Sequence, residues 1–256
     1  MLQVQQPAQL RTEQVGDIAI LTIDRPERRN ALGQQLIEEL RHGLNRADRA
    51  PETRVIVLTG SAPGFCAGSD LKELAGMDLA SMGAHEAHTA TLARSIALMS
   101  KPVVAGVEGF ALGGGFVLAV SCDVIVSDAS ARWHLPEVMI GWIPPWGIQA
   151  LVARVGPVVA RRLVWGADPF DGAEAHRLGV ADYLAQPGES VRDAALRIGT
   201  RLAALPASAV TSTKQFFAPL VSGQGESMDA WANRLFLGDC DHPAAKATLN
   251  RFGVRV

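Results

Sequence analysis

The amino-acid sequence predicts an α/β fold. Short apolar runs rich in β-branched residues occur at residues 18–23, 55–58 and 103–107, and such uninterrupted runs are typical of strands buried on both faces. Stretches with helical spacing lie between these runs, so strands alternate with helices through the first two thirds of the chain. After about residue 180 only helical spacing remains, which predicts an all-helical end.

The predicted strands are each bounded by turn residues. The run at 18–23 lies between Gly16-Asp17 and Asp24-Arg25-Pro26, and the run at 55–58 ends in Thr59-Gly60. Lys101-Pro102 introduces the run at 103–107, and residues 124–126 predict a fourth strand.

The predicted helices follow from apolar residues that recur every three or four positions. Residues 34–48 carry Leu36, Ile37, Leu40 and Leu44 on one stripe, and residues 89–99 show similar spacing. Pro206 and the segment 223–225 separate the last predicted helices, which are 191–205, 207–217 and 227–236.

Composition excludes several classes of protein. The 256 residues are 48% hydrophobic and carry 24 Lys and Arg against 26 Asp and Glu, a formal charge of −2, so no broad basic surface for nucleic acid is expected. Long uncharged stretches such as 109–122 and 138–153 fall short of the roughly 18 apolar residues of a membrane span. Residues 1–14 lack a secretory pattern and the three cysteines are unclustered, so we expect a cytoplasmic protein with reduced thiols.

The first candidate motif is Pro-Gly-Phe-Cys-Ala-Gly-Ser-Asp-Leu-Lys-Glu-Leu at residues 63–74. Asp70 and Glu73 have the spacing of a capping box, so a helix is expected to begin here with backbone N–H groups able to face an anion. Gly64 and Gly68 would let the loop bend closely around a ligand. Taken alone, this motif is explained more simply as a tight turn that leads into a helix.

The second motif is the glycine triplet 113–115, which follows a strand and precedes the apolar run 116–120. Bare backbone amides at such a triplet can approach a ligand. Because of Val117 and Val120, the pattern does not decide whether this run forms a helix or a strand. The glycine spacing matches neither a dinucleotide fingerprint nor a Walker loop.

The third motif surrounds Glu137, the single acid between Asp128 and Asp168. Its neighbours are Trp, Leu, Met, Ile and Pro, and burial among them would raise the pKa of its carboxyl group toward the range useful for proton transfer. A helix-capping glutamate, or one paired with an arginine, is the structural alternative.

Other chemistry-bearing residues point to no site. His85-Glu86-Ala87-His88 lacks the spacing of a zinc-binding helix and the sequence has no Cys-x-x-Cys, so we expect no metal. Ser69 is not in a nucleophile elbow. His134 is expected to be a packed or solvent-edge histidine rather than a base.

Taken together, the three motifs and Arg25-Pro-Glu-Arg-Arg-Asn-Ala-Leu32 upstream resemble the crotonase family of enoyl-CoA hydratases and isomerases. The resemblance spans nearly the whole chain. It implies a spiral of ββα units over residues 1–195, and a helical C-terminal region over 196–256 that drives formation of a homotrimer or a dimer of trimers.

The resemblance also implies an acyl-CoA substrate whose thioester enolate is stabilised by two backbone amides, with CoA as part of the substrate and no separate cofactor. By position these donors are Ser69 and Gly114, and Glu137 is the general acid and base. The implied substrate contacts are Arg28 or Arg29 at the adenosine phosphates, Ala67, Asp70 and Leu71 along the CoA path, and Gly113, Pro136, Gly141 and Trp142 from the other two motifs.

One departure from the family pattern bears on the reaction. Hydratases of this family carry a further glutamate in the helix after the glycines, where this sequence has Val117. A single glutamate resembles the isomerases, which move a proton from C2 to C4, so isomerisation is favoured over hydration.

Two alternatives stay open. One is a lyase, decarboxylase or hydrolase acting on a specialised acyl-CoA, because Ile143-Pro-Pro-Trp-Gly147 resembles a stretch of hydroxycinnamoyl-CoA hydratase-lyases and Trp142 and Trp146 could shape a flat pocket. The other is a catalytically silent acyl-CoA-binding subunit.

Overall fold

The computed structural model describes residues 7–166 and 168–253, and it confirms the α/β class. The strands are β1 (Leu10–Val15), β2 (Ile18–Ile23), β3 (Val55–Gly60), β4 (Val103–Val107), β5 (Phe110–Leu112), β6 (Val124–Ser127), β7 (Arg132–His134) and β8 (Tyr183–Leu184). The helices are α1 (Gln34–Arg49), α2 (Leu71–Leu74), α3 (Leu79–Leu98), α4 (Gly114–Val120), α5 (Ile148–Val164), α6 (Gly172–Leu178), α7 (Val191–Ala203), α8 (Ala207–Ser222), α9 (Gly225–Cys240) and α10 (Pro243–Phe252). Two 3-10 turns cover Pro26–Arg28 and Val138–Ile140.

Six strands form one sheet in the order β1-β2-β3-β4-β6-β8, and β5 pairs with β7 in a second, two-stranded sheet. The β1–β2 pair is antiparallel, whereas every other pair in these sheets is parallel. Parallel strands need helical crossovers, which explains the alternation of strands and helices in the sequence.

The central strands are buried on both faces, as their apolar runs predict. Along β2, Ala19 and Leu21 pack with α1 and α3, whereas Ile18 and Ile20 face α7 in a separate cluster. Alternate residues of one strand therefore enter two different cores. Because α7 packs on β3 and β4 and spans the 195/196 boundary, the predicted division into two domains stays a prediction.

Several elements differ from the sequence expectations. β1 was not predicted because it is an edge strand with a largely exposed, polar sequence. α3 begins at Leu79, ten residues before the predicted helix start at Thr89, and α10 was not predicted. The run after the glycine triplet is a helix, α4, so the ambiguity at Val117 and Val120 is resolved.

The C-terminal helices complete the core around the site. α8 and α9 pack against α3, and α10 packs against α2. None of the helices over 7–166 and 168–253 has the length and apolar character needed to cross a membrane. The expectation for residues 1–14 falls partly on residues 1–6, which lie outside the described residues.

Candidate active site

The first part of the site is the turn at residues 66–70, between β3 and α2. Gly68 has φ +90°, a left-handed conformation that glycine adopts without strain. The Leu32 N–H donates to the Gly68 carbonyl at 2.8 Å, and the Asp70 N–H donates to the Leu32 carbonyl at 3.1 Å. Within the described residues the Ser69 N–H donates to no backbone acceptor, so the turn presents one unused donor.

The second part is the start of α4, which the glycine triplet builds. Gly113 has φ 54° and ψ −128°, a conformation that side chains other than hydrogen disfavour. A Cβ atom on Gly114 would lie 3.5 Å from the Ser69 nitrogen, and one on Gly68 would lie 2.9 Å from the Gly114 nitrogen. The absence of side chains at these two glycines thus lets the two turns bring their amides together.

The third part is Glu137, just after β7. Its side chain is buried, and its Oε1 would lie 2.9 Å from a Cβ atom on Gly113. Within the described residues its Oε2 has no hydrogen-bond partner. Burial raises the pKa of Glu137 to about 8; its own N–H opposes this rise, and the nearby Glu86 adds to it.

A second buried acid, Glu86, reaches the same cavity from α3. The Ser69 hydroxyl donates to its Oε1 at 2.9 Å, and the Trp146 indole donates to its Oε2 at 2.7 Å. Burial raises the pKa of Glu86, while His85 and these two hydrogen bonds oppose the rise. The expectation of a lone acid in the site is therefore wrong.

A signal for Glu86 was present in the sequence. Met82, Glu86, Thr89, Ala90 and Ala93 are all buried and recur at helical spacing. The predicted helix begins only at Thr89, so Glu86 lies outside it and its place on this buried stripe is not predicted. The described residues contain no group of three His, Cys, Asp or Glu side chains that could hold a metal ion.

The cavity between these parts has a volume of about 70 Å³, and its wall is otherwise largely apolar. Val117 lies on this wall, where its Cγ1 would be 2.0 Å from a Cβ atom on Gly147. The wall residues are Ala67, Gly68, Ser69, Leu71, Leu74, Glu86, Gly113, Gly114, Val117, Pro136, Glu137, Ile140, Trp142, Pro144, Pro145, Trp146 and Phe236. Eight of the twelve residues that the sequence analysis selected for the site are therefore brought together here: Ala67, Ser69, Leu71, Gly113, Gly114, Pro136, Glu137 and Trp142.

The other four selected residues lie outside this wall. Asp70 accepts hydrogen bonds from the Lys72 and Glu73 N–H groups and pairs with the buried Arg25 at 2.8 Å, so it holds the turn in place. Gly141 ends the second 3-10 turn with φ 110°.

Arg28 is half-buried and Arg29 exposed, in the loop that precedes Leu32. The Arg29 guanidinium stacks 4.6 Å from the centre of the Phe110 ring, and the Arg29 carbonyl accepts a 3.2 Å hydrogen bond from the Ala67 N–H. This loop is thus tied directly to the Ser69 turn. Contact of Arg28, Arg29, Asp70 or Gly141 with a substrate stays a prediction.

The remaining polar groups near the motifs are structural. His134 is buried, with its Nε2 at 3.1 Å from the Gly166 carbonyl oxygen. Cys66, Cys122 and Cys240 are buried free thiols, and burial raises the pKa of Cys66 to about 12. A thiol with so high a pKa is not a nucleophile at neutral pH.

Comparison with known proteins finds relatives that match most of the chain. A family model described as enoyl-CoA hydratase/isomerase matches residues 13–252. A probable enoyl-CoA hydratase of Mycobacterium bovis is 34% identical over 199 residues, which cover 77% of this chain and 76% of that protein. The short-chain-enoyl-CoA hydratase of Clostridium acetobutylicum is 32% identical over 205 residues, covering 79% and 78%.

Solved structures share the fold. A crystal structure of an enoyl-CoA hydratase/isomerase from Mycobacterium paratuberculosis matches with a TM-score of 0.87 and 21% sequence identity. The match covers 96% of this chain and 98% of that one, so the whole architecture is common to both.

Proposed function

The chain belongs to the enoyl-CoA hydratase/isomerase family, and we propose that it converts an enoyl-CoA thioester through an enolate held by the Ser69 and Gly114 amides. The observation that carries this proposal is the approach of the two turns, which Gly68 and Gly114 permit. Two fixed N–H donors would bind the thioester oxygen more strongly as it gains negative charge. Each such donor is typically worth about 3 kcal/mol in the transition state.

Glu137 is the group that we propose to move the proton at C2 of the substrate. Its Oε1 lies beside Gly113, next to the proposed donor Gly114, and its burial gives it a pKa of about 8. A carboxyl group with that pKa exists in both protonation states near neutral pH, which suits a group that must take and return a proton. Removal of the proton from C2 and its return at C4 would isomerise the double bond.

Hydration is the second candidate reaction, and the names of the two relatives above favour it. Hydration needs a group that activates a water molecule, and α4 carries Val117 instead of a carboxylate that could do so. Both reactions share the enolate and the proton transfer at C2, so the roles of Ser69, Gly114 and Glu137 are the same in each.

The size of the cavity favours a short acyl group. Its volume of about 70 Å³ is enough for only a few water molecules, since each needs roughly 10–15 Å³ of such space. Trp142, Trp146 and Phe236 close it with rigid rings. We therefore propose a four-carbon acyl chain such as crotonyl as the best substrate.

Assembly into a homotrimer or a dimer of trimers, in the cytoplasm, remains a proposal. Large apolar side chains on α8 and α9 support an interface: Phe216 is 73% exposed, Leu220 61% and Trp231 54%. The rings of Phe216 and the exposed Phe217 lie 5.3 Å apart, and exposed apolar side chains that cluster in this way are typical of contact surfaces between proteins.

Exchange of the C2 protons of butyryl-CoA in heavy water tests the proposed function, because this saturated thioester cannot be hydrated or isomerised. We expect exchange with the parent protein, a loss of at least about 100-fold in Glu137→Gln, and no change in Glu52→Gln, whose side chain is exposed. Absence of exchange with the parent protein, or an undiminished rate in Glu137→Gln, would contradict the proposal.

A further inference from the structure

Glu86 is a buried carboxyl group whose burial needs an explanation. It is 1% exposed on α3, and within the described residues it forms no salt bridge with Lys or Arg. Removing a carboxyl group from water costs several kcal/mol unless other groups compensate. Its hydrogen-bond partners are the two neutral donors Ser69 and Trp146.

These two partners fix Glu86 at the centre of the site. Ser69 belongs to the turn whose amide is a proposed enolate donor, and Trp146 closes the acyl cavity. Each carboxylate oxygen has two lone pairs, so an oxygen that accepts one hydrogen bond can accept another. Glu86 therefore keeps the capacity to bind a water molecule in the cavity that it lines.

Glu137 supplies an independent sign that the cavity receives a polar group. Its Oε2 is buried and has no partner within the described residues, and its side chain is 6% exposed. Both acids line one cavity of about 70 Å³. Two acids in so small a space resist simultaneous ionisation, which leaves one as an acid and the other as a base.

We infer that Glu86 is the second catalytic acid–base residue of this site and activates the water that adds to C3 of a short enoyl-CoA. The inference rests on the proposed function, and it selects hydration rather than isomerisation as the reaction. Glu86 on α3 would activate the water, because α4 carries Val117 where a second glutamate would be needed for that role.

The reaction balances with these groups alone. The Glu86 carboxylate takes a proton from water while the water oxygen bonds to C3, and the C2–C3 π electrons move toward the thioester oxygen as the enolate. Glu137, in its protonated form, then gives its proton to C2. Exchange of protons with solvent returns Glu86 to its carboxylate and Glu137 to its acid, so the net change is addition of one water molecule.

Hydrogen bonding favours this division of roles. Ser69 and Trp146 both donate to Glu86, and hydrogen bonds donated to a carboxylate stabilise its charged form. Burial raises the pKa of both acids, but Glu137 lacks such side-chain donors within the described residues, so its charged form is the less stabilised of the two.

Hydration of crotonyl-CoA in Glu86→Gln tests the inference. Glutamine can still accept a hydrogen bond from Trp146 and donate one to the Ser69 hydroxyl, so the fold should survive, as circular dichroism and thermal unfolding would show. We expect hydration to fall by about 100- to 10,000-fold. C2 proton exchange of butyryl-CoA, compared at a pH high enough to ionise Glu137 in both proteins, should stay within about threefold. Glu52→Gln should leave both rates unchanged.

The two assays separate failure of the inference from failure of the proposed function. Undiminished hydration in Glu86→Gln, equal loss of hydration and exchange, or a parent protein that exchanges C2 protons without hydrating crotonyl-CoA would each overturn the role of Glu86. Loss of both rates together would assign Glu86 a structural role. Failure of exchange in the parent protein would instead remove the proposed function itself.

A second variant, Ser69→Ala, probes the same role without touching either acid. It keeps the backbone amide and removes one donor to Glu86. The carboxylate of Glu86 would be less stable, so the acidic limb of the pH profile for hydration should move to higher pH. An acidic limb that does not move would contradict the assignment of Glu86 as the base.

Discussion

The ring of Phe236 packs edge-to-face against that of Trp142, with ring centroids 5.6 Å apart and planes inclined at 85°. Phe236 lies on α9 and Trp142 in the loop after Glu137, and both line the candidate cavity. A C-terminal helix thereby forms part of the wall against which the acyl group is expected to rest. The size of the accepted acyl chain should depend on this contact.

Phe236→Ala should therefore enlarge the cavity and relax the preference for short chains. We expect the ratio of kcat/KM for a six-carbon to a four-carbon enoyl-CoA to rise by about tenfold, the scale of discrimination per methylene in an apolar pocket. The variant should also lose about 3–5 kcal/mol of stability. Phe236→Leu, which keeps most of the volume, is the control, and an unchanged ratio in Phe236→Ala would show that Phe236 does not limit chain length.

Arg25→Met should destabilise the fold and the Ser69 turn together. Arg25 is buried, lies 2.8 Å from Asp70 and 2.9 Å from Glu73, and donates to the Ala31 carbonyl at 3.0 Å. Removing the cation leaves Asp70 buried without its partner, a change that costs about 3–5 kcal/mol. Urea unfolding measures the loss.

The matched control for Arg25 is Arg11→Met. Arg11 pairs with Asp24 at 2.7 Å, but its side chain is 64% exposed. Exposed pairs contribute about 0–1 kcal/mol. Equal losses of stability in the two variants would contradict a special role for the buried ion pairs of Arg25.

Proton exchange at C2 should depend on pH through Glu137. The carboxylate form is the base for this step, so the exchange rate should rise with pH and level off above a midpoint near the pKa of about 8. An exchange rate that is flat between pH 6 and 9 would show that another group removes the proton.

The free energy of unfolding should fall as the pH rises, whereas the exchange rate should increase. Glu137 binds its proton more tightly in the folded chain than in the unfolded chain, where its pKa is near 4.5. The contribution of Glu137 to the free energy of unfolding is greatest below its pKa in the unfolded chain. It falls as the pH rises toward 8, by at most about 1.4 kcal/mol per pH unit. Glu137→Gln should flatten the decline in urea-unfolding measurements, and an equally steep decline in the variant would contradict the shift.

Arg29→Ala should weaken binding of the nucleotide end of the substrate. Arg29 is exposed, and its loop is tied to the Ser69 turn through Ala67. We expect KM for crotonyl-CoA to rise by about 5- to 30-fold with little change in kcat, as for loss of one phosphate contact of about 1–2 kcal/mol. The N-acetylcysteamine thioester, which lacks the phosphates, should be converted equally by both proteins, and an equal loss with both substrates would contradict phosphate contact.

Phe216→Asp should weaken assembly. Phe216 is 73% exposed on α8, so a charge there costs little in the single chain, whereas burial of that charge in an interface is unfavourable. Light scattering should give a lower mass for the variant than for the parent at equal concentration. A parent protein that is monomeric would end the proposal of a trimer.

The sequence predicted the parts of this molecule that depend on local patterns. The buried strands and the position of Asp70 before α2 follow from apolar runs and capping, and the structure confirms both. Glu137, Ser69 and Gly114 share a cavity as the family resemblance implied.

The parts that went unpredicted depend on contacts between distant segments. Glu86 enters the site because α3 packs across it and Trp146, sixty residues further on, donates to its carboxylate. Phe236 enters it because α9 packs on α3. Neither residue lies in a motif, and β1 lacks the apolar alternation by which half-buried strands are detected.

The hydrogen bond from Trp146 to Glu86 gives the molecule a built-in optical reporter. The emission of an indole shifts when the charge or polarity beside its N–H changes, and Trp146 is 1% exposed against the cavity wall. A thioester entering that cavity, or a proton reaching Glu86, would alter the fluorescence of this side chain. Occupancy of the cavity could thus be titrated without a labelled ligand, with Trp146→Phe as the reference that gives the response of the other tryptophans, Trp142 of the same wall included.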